Sequence, residues 1–130
     1  MTRVAGACAV LLLTAGCTGM GSAEDQNASR TAIRFHGALG PDPTSACGWL
    51  APGTLRELEG TLGPCPGSLG RLHLPAARRV LQVEVFGKDA IVRLDDDVVF
   101  LARFSQGWRI TAAGCTPVAH RPYDCRLKGA

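Results

Sequence analysis

The chain predicts an α+β fold: short N-terminal helices packed on one face of a curved antiparallel meander of four to five strands. Three observations carry this expectation. Apolar residues recur at helical spacing up to about Leu62, and from Val80 onward the period changes to two. The period-two runs are separated by short segments of tight-turn composition. Helices followed by a meander collect the helices on one face of the sheet.

The first seventeen residues, MTRVAGACAVLLLTAGC, stand apart from that domain. Arg3 gives a positive start, and Val4 to Gly16 is an uncharged run of 13 residues. A membrane-spanning helix needs about 20 apolar residues, so this run is too short to be one. Its layout is that of an export signal. Ala15-Gly16-Cys17 resembles the lipobox of bacterial lipoproteins, with Thr14 where that family most often has Leu. The resemblance implies cleavage before Cys17 and diacylation of its thiol. Two acyl chains make a durable anchor where one does not. The expected layout is therefore a signal peptide over 1–16, a lipidated N-terminus and flexible tether over 17–27, and a single domain over 28–130. The expected location is the cell membrane, facing outside the cytoplasm. Thr18 to Asn27, with Gly19, Gly21 and Ser22, reads as polar tether.

Ala32, Ile33, Phe35, Ala38 and Leu39 recur near helical spacing, which predicts a helix from about Ala28 to Leu39, stopped by Gly40-Pro41. Asp42-Pro43 is an N-cap followed by Pro at the first helical position, so a short helix should run through Cys47 to Leu50. Ala51-Pro52-Gly53 breaks it. Leu55, Leu58 and Leu62 predict a third helix over Thr54–Leu62, and Gly67–Leu74 reads as a loop or single turn.

The runs VLQVEVF, AIVRL, VVFLARF and WRITAAG, starting at Val80, Ala90, Val98 and Trp108, are four strands, with a possible fifth over Tyr123–Lys128. Gly87-Lys88-Asp89, Asp95-Asp96-Asp97 and Ser105-Gln106-Gly107 turn between them. Alternation assigns Leu81, Val83, Val85, Ala90, Val92, Leu94, Phe100, Ala102, Phe104, Trp108, Ile110 and Ala112 to the face that meets the helices.

Four cysteines remain beyond the anchor: Cys47, Cys65, Cys115 and Cys125. Outside the cytoplasm they should form two disulfides. Of three possible pairings, Cys47–Cys65 and Cys115–Cys125 are favoured because each brackets one local unit. The competing use is zinc, with His73 or His120. Neither a CxxC pair nor a His-x₃-His spacing is present, so no metal is expected. No cofactor is expected either. The formal net charge of +3, to which Arg3 contributes one, and the scattered arginines argue against a nucleic-acid partner.

The Phe35-His36 helix, the segment from Ala46 to Pro52 and the strand Gly107-Trp108-Arg109-Ile110 resemble small actinobacterial lipoproteins of unknown function. That strand and the order of elements are also similar to NTF2-like (SnoaL-like) domains. The second resemblance implies helices closing a cone over a bent sheet, a fold that hosts isomerases, cyclases, dehydratases and non-catalytic modules alike. Enzymes of that class carry an acid, a base or a Tyr inside the cone, and the inward set above contains none. Asp95, Asp96 and Asp97 lack EF-hand spacing and read as a solvated turn. His36 is the one base that helical spacing could aim inward.

The segment between Cys115 and Cys125 holds two prolines together with His120, Arg121 and Tyr123, and reads as a rigid contact loop. No catalytic residue is assigned. His36, His120, Arg121 and Tyr123 are the candidate contacts with a ligand or partner. The function expected is a membrane-anchored, non-enzymatic binding or interaction module of the cell envelope, its partner an envelope protein or a small ligand. The alternative is a small envelope enzyme of the SnoaL or ketosteroid-isomerase type acting on a hydrophobic small molecule.

Overall fold

The computed structural model describes Thr2 and residues 19–129. Four helices precede a five-stranded antiparallel sheet: α1 Gly19–Ala38, α2 Pro43–Gly48, α3 Pro52–Leu62, α4 Gly67–Gly70, β1 Val80–Phe86, β2 Asp89–Leu94, β3 Val98–Phe104, β4 Gly107–Val118 and β5 Arg121–Lys128. The strands pair in sequence order as an open meander. Among the described residues, no helix is long and apolar enough to cross a membrane.

The long helix α1 crosses one face of the sheet and packs on β1, β2 and β4. Its inward stripe is Ala28, Thr31, Ala32, Phe35 and His36, all buried, at the spacing one helix face requires. Ala28 and Ala32 let the helix axis approach the sheet, and Phe35 fills the space beyond them. Asp42 caps α2 by accepting from the Ser45 N–H at 3.2 Å, and Pro43 opens that helix. Pro52 does the same for α3, which ends at Gly63 with a positive φ of 92°. Between α2 and α3 the chain touches the sheet. Ala51 donates to the Ile110 carbonyl at 2.8 Å, and the Ile110 N–H returns to Trp49 at 2.8 Å. This short parallel bridge lies on β4 just beyond the end of its pairing with β5. The Thr54 hydroxyl, buried on α3, donates to the Thr111 carbonyl at 3.0 Å.

Cys47–Cys65 ties α2 to the link between α3 and α4, and Cys115–Cys125 crosses β4 and β5. Both pairings are as expected. The segment between Cys115 and Cys125 is not a loop, however: β4 runs on to Val118 and β5 starts at Arg121, so it is a paired hairpin with a two-residue turn.

Two further expectations are corrected. Residues 19–27, expected as flexible tether, are helical and continue α1 toward the N-terminus. Glu24 explains why: its carboxylate accepts from the Trp108 indole N–H at 2.7 Å and pairs with Arg103 at 3.3 Å. The inward face of the sheet also differs. Val99 and Leu101 are buried, whereas Phe104 is 39% and Leu81 63% exposed. Register decides this. Ala90 stands opposite Leu101 and Val92 opposite Val99, and directly opposed residues share a face. Phe100 and Phe104 therefore point away from the helices. A bulge between Val80 and Gln82 turns Leu81 outward, and another in β4 moves the inward phase from Trp108 and Ile110 to Ala113.

Candidate functional site

The third aspartate of the turn before β3 is not solvated. Asp97 is buried, and its carboxylate collects three backbone donors: Val98 at 2.8 Å, Gly114 at 3.1 Å and Cys115 at 3.2 Å. His36, descending on α1, brings Nε2 to 2.9 Å from its Oδ2. The side chains are 0% and 1% exposed respectively. The approach is off the hydrogen-bond axis, so the two side chains are in close polar contact while neither ring nitrogen has a hydrogen-bond partner among the described residues. The ring stands edge-on to Phe35, with centroids 5.4 Å apart. Burial of a carboxylate is tolerable only when donors converge on it as they do here. Gly114 makes this convergence possible. Its φ is +66°, and a Cβ there would come within 2.7 Å of Leu74.

A groove of about 280 Å³ lies beside this pair, lined by His36, Leu39, Leu69, His73, Leu74 and Pro75. The imidazole is nonetheless sealed from solvent, and no substrate atom reaches it in this arrangement. His73 adds no partner: it is exposed with φ of 49°, and its carbonyl accepts from Arg126 at 2.6 Å.

Of the other candidate contacts, Arg121 and Tyr123 come together on β5, both bordering a shallow hollow with Pro122 and Asp124. His120 occupies the hairpin turn with φ of 60° and is exposed. His36 lies far from them in environment, under α1 on the helix side of the sheet. Cys17 falls outside the described residues.

Tyr123 also borders a wider hollow, an open apolar groove of about 660 Å³ that includes Thr54, Phe100, Phe104, Ala112 and Pro122. Phe100 and Tyr123 meet edge to face at 5.3 Å. The Tyr123 hydroxyl accepts from Arg93 at a long 3.4 Å. That hydroxyl first, then Glu84, holds the Arg93 guanidinium above its ordinary range against partial desolvation. Arg93 is thus a permanent cation beside the groove.

Reading the sequence missed Asp97 and misplaced Phe100 and Phe104. A signal for Asp97 was present: of the three aspartates, only it directly precedes a strand, where its side chain can cap the next N–H. Among the described residues, no group of three or more His, Cys, Asp or Glu is gathered as a metal ion would need. Comparisons with protein-family models, with curated proteins and with solved structures find no match.

Proposed function

We propose that this chain is a lipid-anchored, extracytoplasmic binding module of the cell envelope, acting by contact and not by catalysis. The observation that carries the reading is the N-terminal export signal ending at Ala15-Gly16-Cys17. Two disulfides, suited to an oxidising compartment, support it. So does the filled space under α1, where Phe35, Val92, Leu101 and Trp108 are almost wholly buried and leave no room for a substrate. The binding residues fall on the outer face of the sheet, around Phe100, Phe104, Arg121 and Tyr123. Helices before a meander, with α1 across the sheet, are consistent with an NTF2-like relationship; on this reading the cone is packed solid.

Non-reducing mass spectrometry of protein from native membranes tests the anchor. A diacylated N-terminal peptide beginning at Cys17 is expected, and Cys17→Ser should move the protein to the soluble fraction. An unmodified N-terminus would make it a freely secreted protein and overturn the anchored reading.

One observation favours a second reading. The His36–Asp97 pair beside an apolar groove is the arrangement a SnoaL-type or ketosteroid-isomerase-type enzyme would need, once the groove opened. Titrating the protein with apolar small molecules while following the His36 ring signals by NMR decides it. An unmoved ring removes His36 from any binding site.

A further inference from the structure

The arginines, scattered in sequence, are gathered in space. Arg30 and Arg34 lie four residues apart on α1, where like charges disfavour the helix. Arg103 and Arg109 reach the same place from β3 and β4, and all four line one cleft of about 270 Å³ with Trp49 and Glu24. Glu24 pairs with Arg103. Among the described residues, Arg30, Arg34 and Arg109 have no carboxylate partner. Two of these three guanidiniums share one aromatic ring: Arg34 lies 5.8 Å and Arg109 5.4 Å from the Trp49 centroid. The Trp108 carbonyl accepts from Arg109 at 2.9 Å, which fixes that guanidinium in the cleft. The one carboxylate among the named cleft residues, Glu24, is taken up by Arg103, so three cations line the cleft unneutralised and an anion placed among them is attracted by all three. Planar guanidinium forks match phosphate oxygens in particular.

The position of the cleft indicates where that phosphate comes from. Resting on the reading of Cys17 as the lipid anchor, α1 begins two residues beyond the acylated thiol, a reach of at most about 7 Å along the chain. From there to Arg30 is about three turns of helix, or roughly 17 Å. An anchored molecule can therefore lay this side of α1 against the bilayer surface, and a partly buried indole such as Trp49 at the cleft suits the headgroup level.

We propose that the Arg30–Arg34–Arg109 cleft binds the phosphodiester headgroup of an anionic phospholipid in the leaflet that carries the anchor. It orients the domain on the membrane and turns the outer face of the sheet toward partners.

The test uses the chain from residue 17 with Cys17→Ser, which cannot be acylated. The described helices, strands and disulfides all lie within 19–129, so this chain contains the whole described domain. Its binding is measured by co-sedimentation with vesicles of phosphatidylcholine alone and with phosphatidylglycerol added. Binding only to the anionic vesicles, weakening with salt, is expected. Each cleft arginine is expected to contribute about fivefold, so Arg34→Gln with Arg109→Gln should weaken binding about 25-fold. Arg30→Glu, at an exposed site that folding does not need, should act in the same direction. Equal binding to neutral vesicles overturns the proposal, as does an equal loss from Arg56→Gln with Arg78→Gln elsewhere on the surface. Failure to bind anionic vesicles also overturns it; a cleft that then still takes up millimolar inorganic phosphate is a site for the free ion. Failure of the anchor reading is seen separately, in the mass of the native N-terminal peptide.

Discussion

Asp97 is the residue on which the interior depends most. It joins α1, the turn before β3 and the bulged part of β4 through one carboxylate. Asp97→Ala leaves three backbone N–H groups without their acceptor, two of them buried, and should cost about 3–5 kcal/mol. That is a large share of the roughly 5–15 kcal/mol typical of a small domain. Urea denaturation would read this as a strongly lowered midpoint, whereas a change within the scatter of surface substitutions would show the pair to be incidental. Its neighbour Asp95 acts at the surface. The backbone N–H of Arg78, then that of Arg79, holds the Asp95 carboxyl below its ordinary range. The folded form therefore binds the proton less readily than the unfolded chain. The resulting stability is fully present above the ordinary carboxylate range and is lost as pH falls through the depressed value. Melting curves of the native protein and Asp95→Asn should differ at neutral pH and converge in acid. Of the three consecutive aspartates, the sequence shows only a turn. Their separate roles depend on which neighbouring N–H groups each can reach, and β3 and β4 supply those only after folding.

At the scale of elements, the helix and strand boundaries were largely legible, because helical and strand periodicity and the Pro and Gly breaks are local. The phase of β3 was not. VVFLARF is apolar on both faces, so alternation alone chooses neither, and pairing with Ala90 and Val92 makes the choice. The start of α1 was equally hidden: Gly19 to Asn27 is largely polar and contains two glycines, and this part of the helix is held at Glu24 by a residue 84 positions away. Glu24→Ala removes the acceptor of the Trp108 indole and should cost about 1.5–3 kcal/mol, the range for a hydrogen bond to a charged group. A freely moving tether would show no change in a thermal melt. The Cys47–Cys65 bridge, with a separation of 18 residues, should contribute about 3 kcal/mol by closing its loop in the unfolded chain. Replacing both cysteines by Ala should lower the denaturation midpoint with the far-ultraviolet spectrum retained.

For the whole molecule, three features are distinct: the sealed His36–Asp97 pair under α1, the apolar groove on the outer face of the sheet, and the arginine cleft beside α1. The proposed anchor makes their arrangement directional. The sequence by itself determined the α+β class, the order of the main elements and which cysteine pairing is favoured, since each follows from residues close along the chain; it also carries the N-terminal pattern on which the proposed anchor rests. Tertiary structure decided which face of each strand is inside, that Asp97 meets His36, and that Arg30, Arg34 and Arg109 share one cleft. These depend on strand register and on the seat of α1 across the sheet. Both are set by contacts between residues far apart in the chain, which no local pattern encodes.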